Sequence, residues 1–272
     1  GYDGIIMTDA LDMNAVDLTY NLYEAAVMAV EAGVDLLAMG PGIGADVAAN
    51  AINAVTEAVR QGRLSQERIT ESARRILETK ERFGILDWQP LDPSTAAERV
   101  SAEAHTTWLD DLFRAAVTVA YDDHDLIPIT PEERTTIIFL GTRYQIQTEC
   151  AQYSPNTTWL AVSDEPSNDE IIGATVTALD ADTVVVWTQN AISNPAQQRL
   201  VNALPAEKTI AVAIWSVYDW QTYPDVAAYI ATYSPARPSV PAACAVLFGA
   251  LPAQGRLPMT LRLDLPAGSR AG

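Results

Sequence analysis

The chain has 272 residues, of which 49% are hydrophobic and 19% are charged, and this composition excludes a disordered chain, a collagen-like chain and a disulfide-dense scaffold. Its 35 acidic and 17 basic side chains give a formal net charge of −18. That charge disfavours nucleic acids and anionic membrane surfaces as partners, because phosphate binding needs clustered cations. The sequence also lacks an apolar run of the roughly 18 residues that a membrane-spanning helix needs.

The first part of the chain, residues 1–86, alternates between strand and helix patterns. Two short apolar runs have the length and composition of buried strands, at residues 4–8 and 34–39. Three further segments carry apolar residues at helical spacing, over residues 22–32, 45–60 and 66–82. Gly33 is placed to end the first of these helices, and Ser65 to cap the third. Strands that alternate with helices of this length predict βαβ units and a parallel sheet.

The composition changes over residues 84–100, where Gly84, Pro90 and Pro93 interrupt the pattern. A helix is predicted next, over about 102–117. We therefore expect a domain boundary in this region. The predicted parts are a first domain, a linker with a connecting helix, and a second domain, at residues 1–86, 87–117 and 118–272.

The second domain repeats the alternating theme. Four near-continuous apolar strands are predicted, at residues 135–141, 158–163, 183–188 and 209–215. Ser167 and Asn194 begin capping-box patterns for the helices between them. A last helix over 239–249 and a last strand over 257–263 complete the domain. This order predicts a doubly wound α/β sandwich.

Asp9 is the first candidate for chemistry, because it directly follows the first predicted strand. In parallel α/β folds, ligands meet the carboxyl ends of strands. A carboxylate held there can act as a nucleophile or stabilise a cation, but it can equally cap the following turn, so position alone leaves both interpretations open. The turn at residues 40–44 lacks a phosphate-binding motif, and we expect it to form one wall of the pocket that holds Asp9.

Several other polar groups receive structural interpretations. Cys150 and Cys244 are expected to be buried free thiols, although a long-range disulfide stays open. Solvent exposure is expected for the acidic loop Asp122–Asp125, which contains His124, and for the seven cations between Arg60 and Arg82. His105 is expected to be structural, and Asp12 and Asp17 lack the spacing of an EF-hand. Core packing is expected for Trp187, Trp215 and Trp220.

Several segments, taken in chain order, resemble glycoside hydrolase family 3. The first, Gly-Tyr-Asp-Gly-Ile-Ile-Met-Thr-Asp-Ala-Leu-Asp-Met at residues 1–13, is similar to the nucleophile segment of that family and is highly specific. Residues 29–39 resemble its next helix and last barrel strand, and residues 74–80 its post-barrel helix. The stretches at 246–249 and 255–260 are similar to the end of its C-terminal sandwich domain.

The resemblance implies that Asp9 is the catalytic nucleophile of a retaining glycosidase with a carbohydrate substrate. Thr8 to Met13 looks like the β-N-acetylglucosaminidase branch, and Met13 is then expected to border the substrate pocket. The implied fold is the last two β/α units of a TIM-type barrel, followed by the doubly wound sandwich. No metal and no organic cofactor are implied.

Alternatives remain within the resemblance. The β-glucosidase branch more often has a tryptophan where this chain has Ala10, and a β-glucosidase or β-xylosidase would take its acid from the second domain, near Glu165 or Glu170. A phosphorylase, and a non-catalytic scaffold or carbohydrate-binding domain, also stay open. The acid/base loop of the N-acetylglucosaminidase branch precedes the nucleophile strand, so we expect these 272 residues to be part of a longer enzyme and inactive on their own. Compartment, cytoplasmic or secreted, and oligomeric state are left undetermined.

Overall fold

The computed structural model describes residues 2–100 and 103–271, without the side chains of Asp17 and Ala104. The chain divides into two compact units, Gly1–Thr95 and Ala96–Gly272. Gly1, where the resembling segment begins, and residues 101–102 of the predicted linker lie outside the described residues. The finer assignment of a linker to residues 87–117 stays a prediction. Every helix in the described ranges is too short or too polar to cross a bilayer.

The first unit is built from helices and two extended segments. Its α-helices are α1 (Asn14–Asp17), α2 (Leu22–Glu31), α3 (Ala45–Arg60) and α4 (Gln66–Arg82). The two predicted strands are extended and lie side by side in parallel, but they share only one isolated bridge, between Met7 and Leu36. A pair of this kind lacks the further strands that a regular sheet requires. Met7 and Leu36 accordingly remain 60% and 42% exposed.

The predicted helix ends of this unit are confirmed. The Ser65 hydroxyl accepts a hydrogen bond from the Arg68 N–H at 3.1 Å and so caps α4. Gly33 follows α2 with a φ of +103°, a conformation that side chains bearing a Cβ rarely adopt. Helices α2 and α3 then pack through a small apolar cluster that includes Val27, Val30 and Ala58.

A buried ionic network around Asp35 joins α4 to the extended segments. The Asp35 side chain has no exposed surface. It accepts hydrogen bonds from the Ile6 N–H at 3.1 Å, from the Ser72 hydroxyl at 2.6 Å and from the Arg75 guanidinium at 2.8 Å. Burial by itself would raise the pKa of this carboxyl, but the hydrogen bonds from Ser72, Ile6 and Arg75 outweigh it and hold the pKa well below its usual range.

The expectation of a fully solvated cation run is therefore wrong for part of α4 and its approach. The side chains of Arg68 and Arg75 are only 20% and 23% exposed, and both pair with Asp35. Arg63, just before α4, donates bidentate hydrogen bonds to Glu24 and Glu31 on α2. Residue spacing along one helix cannot reveal such pairs, because their partners lie 32 to 40 residues away in sequence.

The Asp35 network gives a stability prediction. We expect Asp35→Ala to lower the free energy of unfolding by about 3 kcal/mol, because the partly buried charges of Arg68 and Arg75 lose their carboxylate partner. Since folding lowers the pKa of Asp35, its contribution is complete above its ordinary value of 3.8 and is lost as the pH falls below that value. Urea unfolding followed by circular dichroism measures both effects.

The matched control is Glu78→Ala. Glu78 pairs with Arg74 on the same helix, but both side chains are more than half exposed. An exposed pair of this kind contributes less than about 1 kcal/mol. Equal losses of stability in the two variants would contradict a special role for Asp35.

The second unit contains a six-stranded sheet between two layers of helices. Its strands are β1 (Thr118–Asp122), β2 (Thr135–Leu140), β3 (Thr157–Val162), β4 (Thr183–Thr188), β5 (Thr209–Ala213) and β6 (Ala228–Ala231). Its α-helices are α5 (Ala96–Val100), α6 (Glu103–Ala116), α7 (Gln145–Cys150), α8 (Asn168–Leu179), α9 (Pro195–Asn202) and α10 (Ser239–Leu247). The strand order is β1-β6-β5-β4-β2-β3, and β1 alone among these strands runs antiparallel to its neighbour.

This topology confirms the predicted α/β class. From β2 the chain passes to β3 at one edge and then returns beyond β2 to β4, so the winding direction reverses between β2 and β4. Strands β2, β4 and β5 are buried along their whole length. Each face of the sheet has its own apolar cluster, which explains why these strands read as continuous apolar runs.

Three elements differ from the sequence-based expectation. The strand predicted over 257–263 does not form: Leu257 is buried, but Pro258 interrupts the segment, and an isolated bridge joins Arg262 to Leu265. Strands β1 and β6 were not predicted, because β6 has only four residues and half of them are alanine. Their pairing places an antiparallel strand at the edge of the sheet.

The expectation of two free thiols is wrong. Cys150, the last residue of α7, forms a disulfide with Cys244 in α10, across 94 residues of sequence. Both residues are fully buried within the same apolar cluster. Sequence distance argued against the pair, but the fold packs α7 against α10.

The disulfide gives a second prediction. After denaturation without reductant, we expect neither cysteine to react with a thiol reagent, and both to react after reduction. The double substitution Cys150→Ala with Cys244→Ala should lower the free energy of unfolding by about 2–4 kcal/mol, because the unfolded chain loses a long-range constraint. Two reactive thiols in the unreduced, denatured protein would contradict the bond.

Candidate functional site

Asp9 lies at the end of the first extended segment, two residues beyond the bridge between Met7 and Leu36. Its carboxylate accepts a hydrogen bond from the Ala10 N–H at 2.7 Å, and the residue is exposed. The parallel partner segment runs in the same direction, so the carboxyl ends of both segments lie together. The structure therefore places Asp9 at the edge where the sequence analysis expected a ligand to bind.

The residues on both sides of Asp9 are anchored to the neighbouring segment. The Thr8 N–H donates to the Leu36 carbonyl at 3.1 Å, and the Thr8 hydroxyl accepts from the Ala38 N–H at 2.9 Å. The Leu11 N–H donates to the Ala38 carbonyl at 3.2 Å, and the Leu11 side chain is buried in a small apolar cluster. Asp9 thus projects from a short stretch of fixed backbone, which is the condition for a positioned nucleophile.

Asp12 lies against the turn that follows the second segment. Its carboxylate occupies the space in which a Cβ at position 40 would sit, so a side chain there would require the Asp12 carboxylate to move. The turn continues with a hydrogen bond from the Ile43 N–H to the Gly40 carbonyl at 3.1 Å, and α3 begins at Ala45. The structure therefore brings the turn at 40–44 beside the loop that carries Asp9, and its role as a wall of the pocket stays a prediction. Sequence reasoning gave Asp12 no part in this contact.

Met13 lies on the same loop, four residues after Asp9. It stands at the N-cap position of α1, and it is 43% exposed. An exposed methionine is available to a ligand, and its contact with substrate stays a prediction.

The two glutamates considered as alternative acids lie in the second unit, and they differ in their hydrogen bonding. Glu170 completes a capping box with Ser167 at the start of α8, as predicted, and it also accepts from the Ser163 N–H at 2.7 Å. Its pKa is lowered to about 2, first by the Ser167 and Ser163 backbone N–H groups and then by the two serine hydroxyls. Glu165 is exposed beyond the end of β3.

The remaining sequence candidates have structural explanations. Asp122 accepts hydrogen bonds from the Leu126 and Ile127 N–H groups at 2.9 Å, which closes the acidic loop. The His124 ring lies 2.6 Å from the Glu207 carbonyl. The capping pattern at Asn194 forms only in part. The Asn194 side chain caps α9, but the Gln197 side-chain amide oxygen accepts from the Gln189 N–H instead of the Asn194 N–H that a capping box requires.

The three tryptophans do not share one environment. Trp187 is buried, as expected, and Trp220 is half-buried beside the Arg262 guanidinium. Trp215 is 52% exposed, so the expectation that it packs in the core is wrong. Trp215 lies just after β5, and residues that follow the end of a strand commonly lie at the surface, so its sequence position could have predicted this exposure.

Comparison with known proteins finds a family that matches the first part of the chain. Residues 1–79 match the family model described as "Glycosyl hydrolase family 3 N terminal domain". The chain is 23% identical over 146 residues to a "Beta-xylosidase" of Formosa agariphila, an alignment that covers 52% of this chain and 20% of that protein.

Two solved structures share the fold. A glycoside hydrolase family 3 β-N-acetylglucosaminidase from Paenibacillus sp. superposes with a TM-score of 0.84 and 25% identity, covering 97% of this chain and 52% of that one. A β-glucoside phosphorylase superposes with a TM-score of 0.72 and 19% identity, covering 95% of this chain and 49% of that one.

The chain thus spans about half the length of these two structures and a fifth of the β-xylosidase. The family match contains Asp9 and its anchoring residues, and the structural likeness extends through the second unit. Residues 1–79 therefore match glycoside hydrolase family 3, and the structural likeness to a family 3 enzyme extends over nearly the whole chain.

Proposed function

We propose that this chain is part of a retaining glycosidase that removes terminal β-N-acetylglucosamine or a related β-hexosaminide, with Asp9 as the nucleophile. The observation that carries the proposal is the position of Asp9: an exposed carboxylate on anchored backbone at the carboxyl end of two parallel segments. The match of residues 1–79, which include Asp9, to the family model supports the same role for this residue.

The proposed reaction has two steps. The Asp9 carboxylate attacks the anomeric carbon and forms a glycosyl ester, while a general acid gives its proton to the leaving oxygen. Water then attacks the same carbon, the deprotonated acid takes a proton from that water, and the ester bond to Asp9 breaks. A carboxylate suits both steps, because it also stabilises the positive charge that develops on the sugar ring.

The choice of N-acetylglucosaminide rests on two observations. The loop from Thr8 to Met13 resembles that branch of the family, and a β-N-acetylglucosaminidase is among the structures that share the fold over nearly the whole chain. The runner-up is a β-glucosidase or β-xylosidase with its acid in the second domain. Glu170 is poorly suited to that role, because a carboxyl with a pKa of about 2 holds no proton to donate near neutral pH.

We further propose that the acid/base group does not belong to these 272 residues. The 272-residue polypeptide should then show no turnover of chromogenic β-N-acetylglucosaminide, β-glucoside or β-xyloside. Clear turnover of any of them by this polypeptide alone would refute this part of the proposal. Parallel assays with and without inorganic phosphate on a complete enzyme that contains the chain distinguish hydrolysis from phosphorolysis.

Substitution of Asp9 tests the proposed nucleophile. In an active enzyme that contains this chain, Asp9→Ala should lower kcat by about a thousandfold or more, because the covalent step loses its attacking group. In the unsubstituted enzyme, a fluorinated substrate analogue that slows hydrolysis of the ester should leave a sugar adduct on the peptide containing Asp9, detected by mass spectrometry.

The matched control is Asp3→Asn, which changes an exposed carboxyl in the same segment. We expect its kcat to stay within about twofold of the unsubstituted enzyme, since surface substitutions of this kind have small effects. Unchanged turnover in Asp9→Ala would favour a non-catalytic role for the segment, and an adduct on another carboxyl would reassign the nucleophile.

Substitution of Glu170 tests its assignment as a capping residue. We expect Glu170→Ala to destabilise the second unit by about 1 kcal/mol at neutral pH, because two backbone N–H groups lose their acceptor. The folded pKa of about 2 lies below the ordinary glutamate value of 4.5, so the stabilisation is complete above pH 4.5 and fades as the pH falls toward 2. Thermal unfolding of the two proteins across this range measures the difference.

Glu132→Ala is the control, because Glu132 is exposed in a loop of the same unit. Its effect on stability should be small. In the complete enzyme, Glu170→Ala should retain the shape of the pH–rate profile. Loss of the limb assigned to the general acid would instead favour the β-glucosidase type of mechanism.

A further inference from the structure

The six-stranded sheet of the second unit has one covered edge and one open edge. At the β1 edge, the Gly255 N–H donates to the Val117 carbonyl at 2.9 Å, and the Ala271 N–H donates to the Val119 carbonyl at 2.8 Å. At the opposite edge, β3 pairs with β2 and, within the described residues, with no other segment. The outer side of β3 therefore presents a row of backbone N–H and C=O groups that is open to another strand.

The β3 edge lacks the features with which proteins usually discourage edge pairing. Those features are charged side chains, prolines, bulges, or a helix or loop that covers the strand. Strand β3, Thr157–Val162, contains no charged residue and no proline, and it pairs with β2 in an unbroken register. Thr158 and Ala161 are exposed on it, whereas β2, β4 and β5 are buried throughout. A regular, uncharged edge of this kind favours pairing with a further strand.

The helix beside this edge leaves room for such a strand. Glu170 on α8 accepts a hydrogen bond from the Ser163 N–H at 2.7 Å, so the flank of α8 that carries Glu170 faces the end of β3. Gly173 and Thr177 follow at three and seven residues, which places them on the same flank. A Cβ added to Gly173 would meet nothing within 4 Å. This flank thus carries small residues along β3, and a second strand can approach without a clash.

The distribution of charge favours a second copy of this chain as the partner. Each copy has a net charge of −18, so two copies repel each other except where uncharged surfaces meet. The sequence has no charged residue between Glu149 and Asp164, a stretch that includes all of β3. Two β3 strands related by a two-fold axis run antiparallel. Asp164 and Glu165 of one copy then lie beside the uncharged residues 154–156 of the other, and not beside their own counterparts.

Symmetry also restricts the register of this pair. Residues that lie directly opposite each other in an antiparallel pair point to the same face of the sheet. Trp159 packs against the apolar cluster on one face, and Leu160 packs against the cluster on the other. The two-fold axis must therefore pass beside a residue that lies opposite its own counterpart. In the centre of β3, that residue is Trp159 or Leu160.

We propose that two copies of this chain associate through antiparallel pairing of their β3 strands, which joins the two sheets into one continuous sheet. The backbone of β3 supplies the hydrogen bonds, and the small residues on the flank of α8 allow the close approach. One short strand on each copy buries a modest area, so the dimer belongs to the weaker class of specific interfaces. The association is independent of the proposed chemistry at Asp9.

Sedimentation equilibrium of the 272-residue chain tests the proposal. We expect a reversible equilibrium between monomer and dimer, with a Kd on the order of micromolar. Thr158→Lys and Ala161→Lys should each raise this Kd by about tenfold or more, because a lysine on the edge loses hydration and meets the partner strand without an acid to pair with. Both positions are exposed, so the monomer should tolerate either lysine.

Thr107→Lys is the matched control, because Thr107 is exposed on α6 and the substitution changes the net charge by the same amount. Its Kd should stay within about twofold of the unsubstituted chain. Circular dichroism confirms that each variant is folded. The proposal is overturned if the unsubstituted chain is monomeric at about 100 μM. It is also overturned if both edge lysines leave the Kd unchanged, or if Thr107→Lys raises it as much as they do.

Single introduced cysteines test the register. Cys150 and Cys244 are joined in a disulfide, so an introduced cysteine supplies a new free thiol. Under mild oxidation, cross-linking between copies should be greatest for Trp159→Cys or Leu160→Cys, because at the two-fold axis the two Cβ atoms are about 4.5–5.5 Å apart. Leu263→Cys is the control, since Leu263 is fully exposed outside the proposed interface. Equal cross-linking of Leu263→Cys and the two β3 variants would overturn the proposed pairing.

Discussion

The geometry of the proposed nucleophile depends on the buried carboxylate of Asp35. Asp35 accepts from the Ile6 N–H and from α4 side chains, so it holds the two extended segments to each other and to a helix. With that register fixed, Thr8 and Leu11 can both bond to the second segment, and Asp9 is held between them. The buried ion pairs of Asp35 thus help to hold the exposed carboxylate of Asp9 in position. The two carboxylates have opposite requirements. Asp35 must be buried and hydrogen-bonded to hold the fold together, whereas Asp9 must stay exposed to reach a substrate.

The second unit reaches a similar result without a central ion pair. Its sheet is buried through apolar strands on both faces, and a disulfide joins α7 to α10 on one of them. The rigid strands leave their carboxyl ends free to carry polar loops. Asp219 and Gln197 fix the loop that follows β4, just as Asp35 fixes the extended segments that carry Asp9. Each is a buried polar side chain that accepts a hydrogen bond from a backbone N–H.

The sequence was informative wherever a signal was local. Ser65, Ser167 and Gly33 were identified as helix ends because caps act within three residues, and the parallel strands were identified because burial on both faces makes them continuously apolar. Pairings between distant residues were missed for the opposite reason. Asp35 with Arg75, and Cys150 with Cys244, meet only after the chain has folded. Asp9 itself was identified by its place after a strand, whereas the contact of Asp12 with Gly40 needed the structure.

The acidic balance of the chain is consistent with the proposed site at Asp9. A surface with a net charge of −18 repels anionic ligands at long range, and the arginines nearest the extended segments, Arg68 and Arg75, already bind Asp35. A neutral sugar feels no such repulsion, and carboxylates can accept from its hydroxyls. The same charge that disfavours nucleic acids therefore favours neutral carbohydrates over phosphorylated ones at this site.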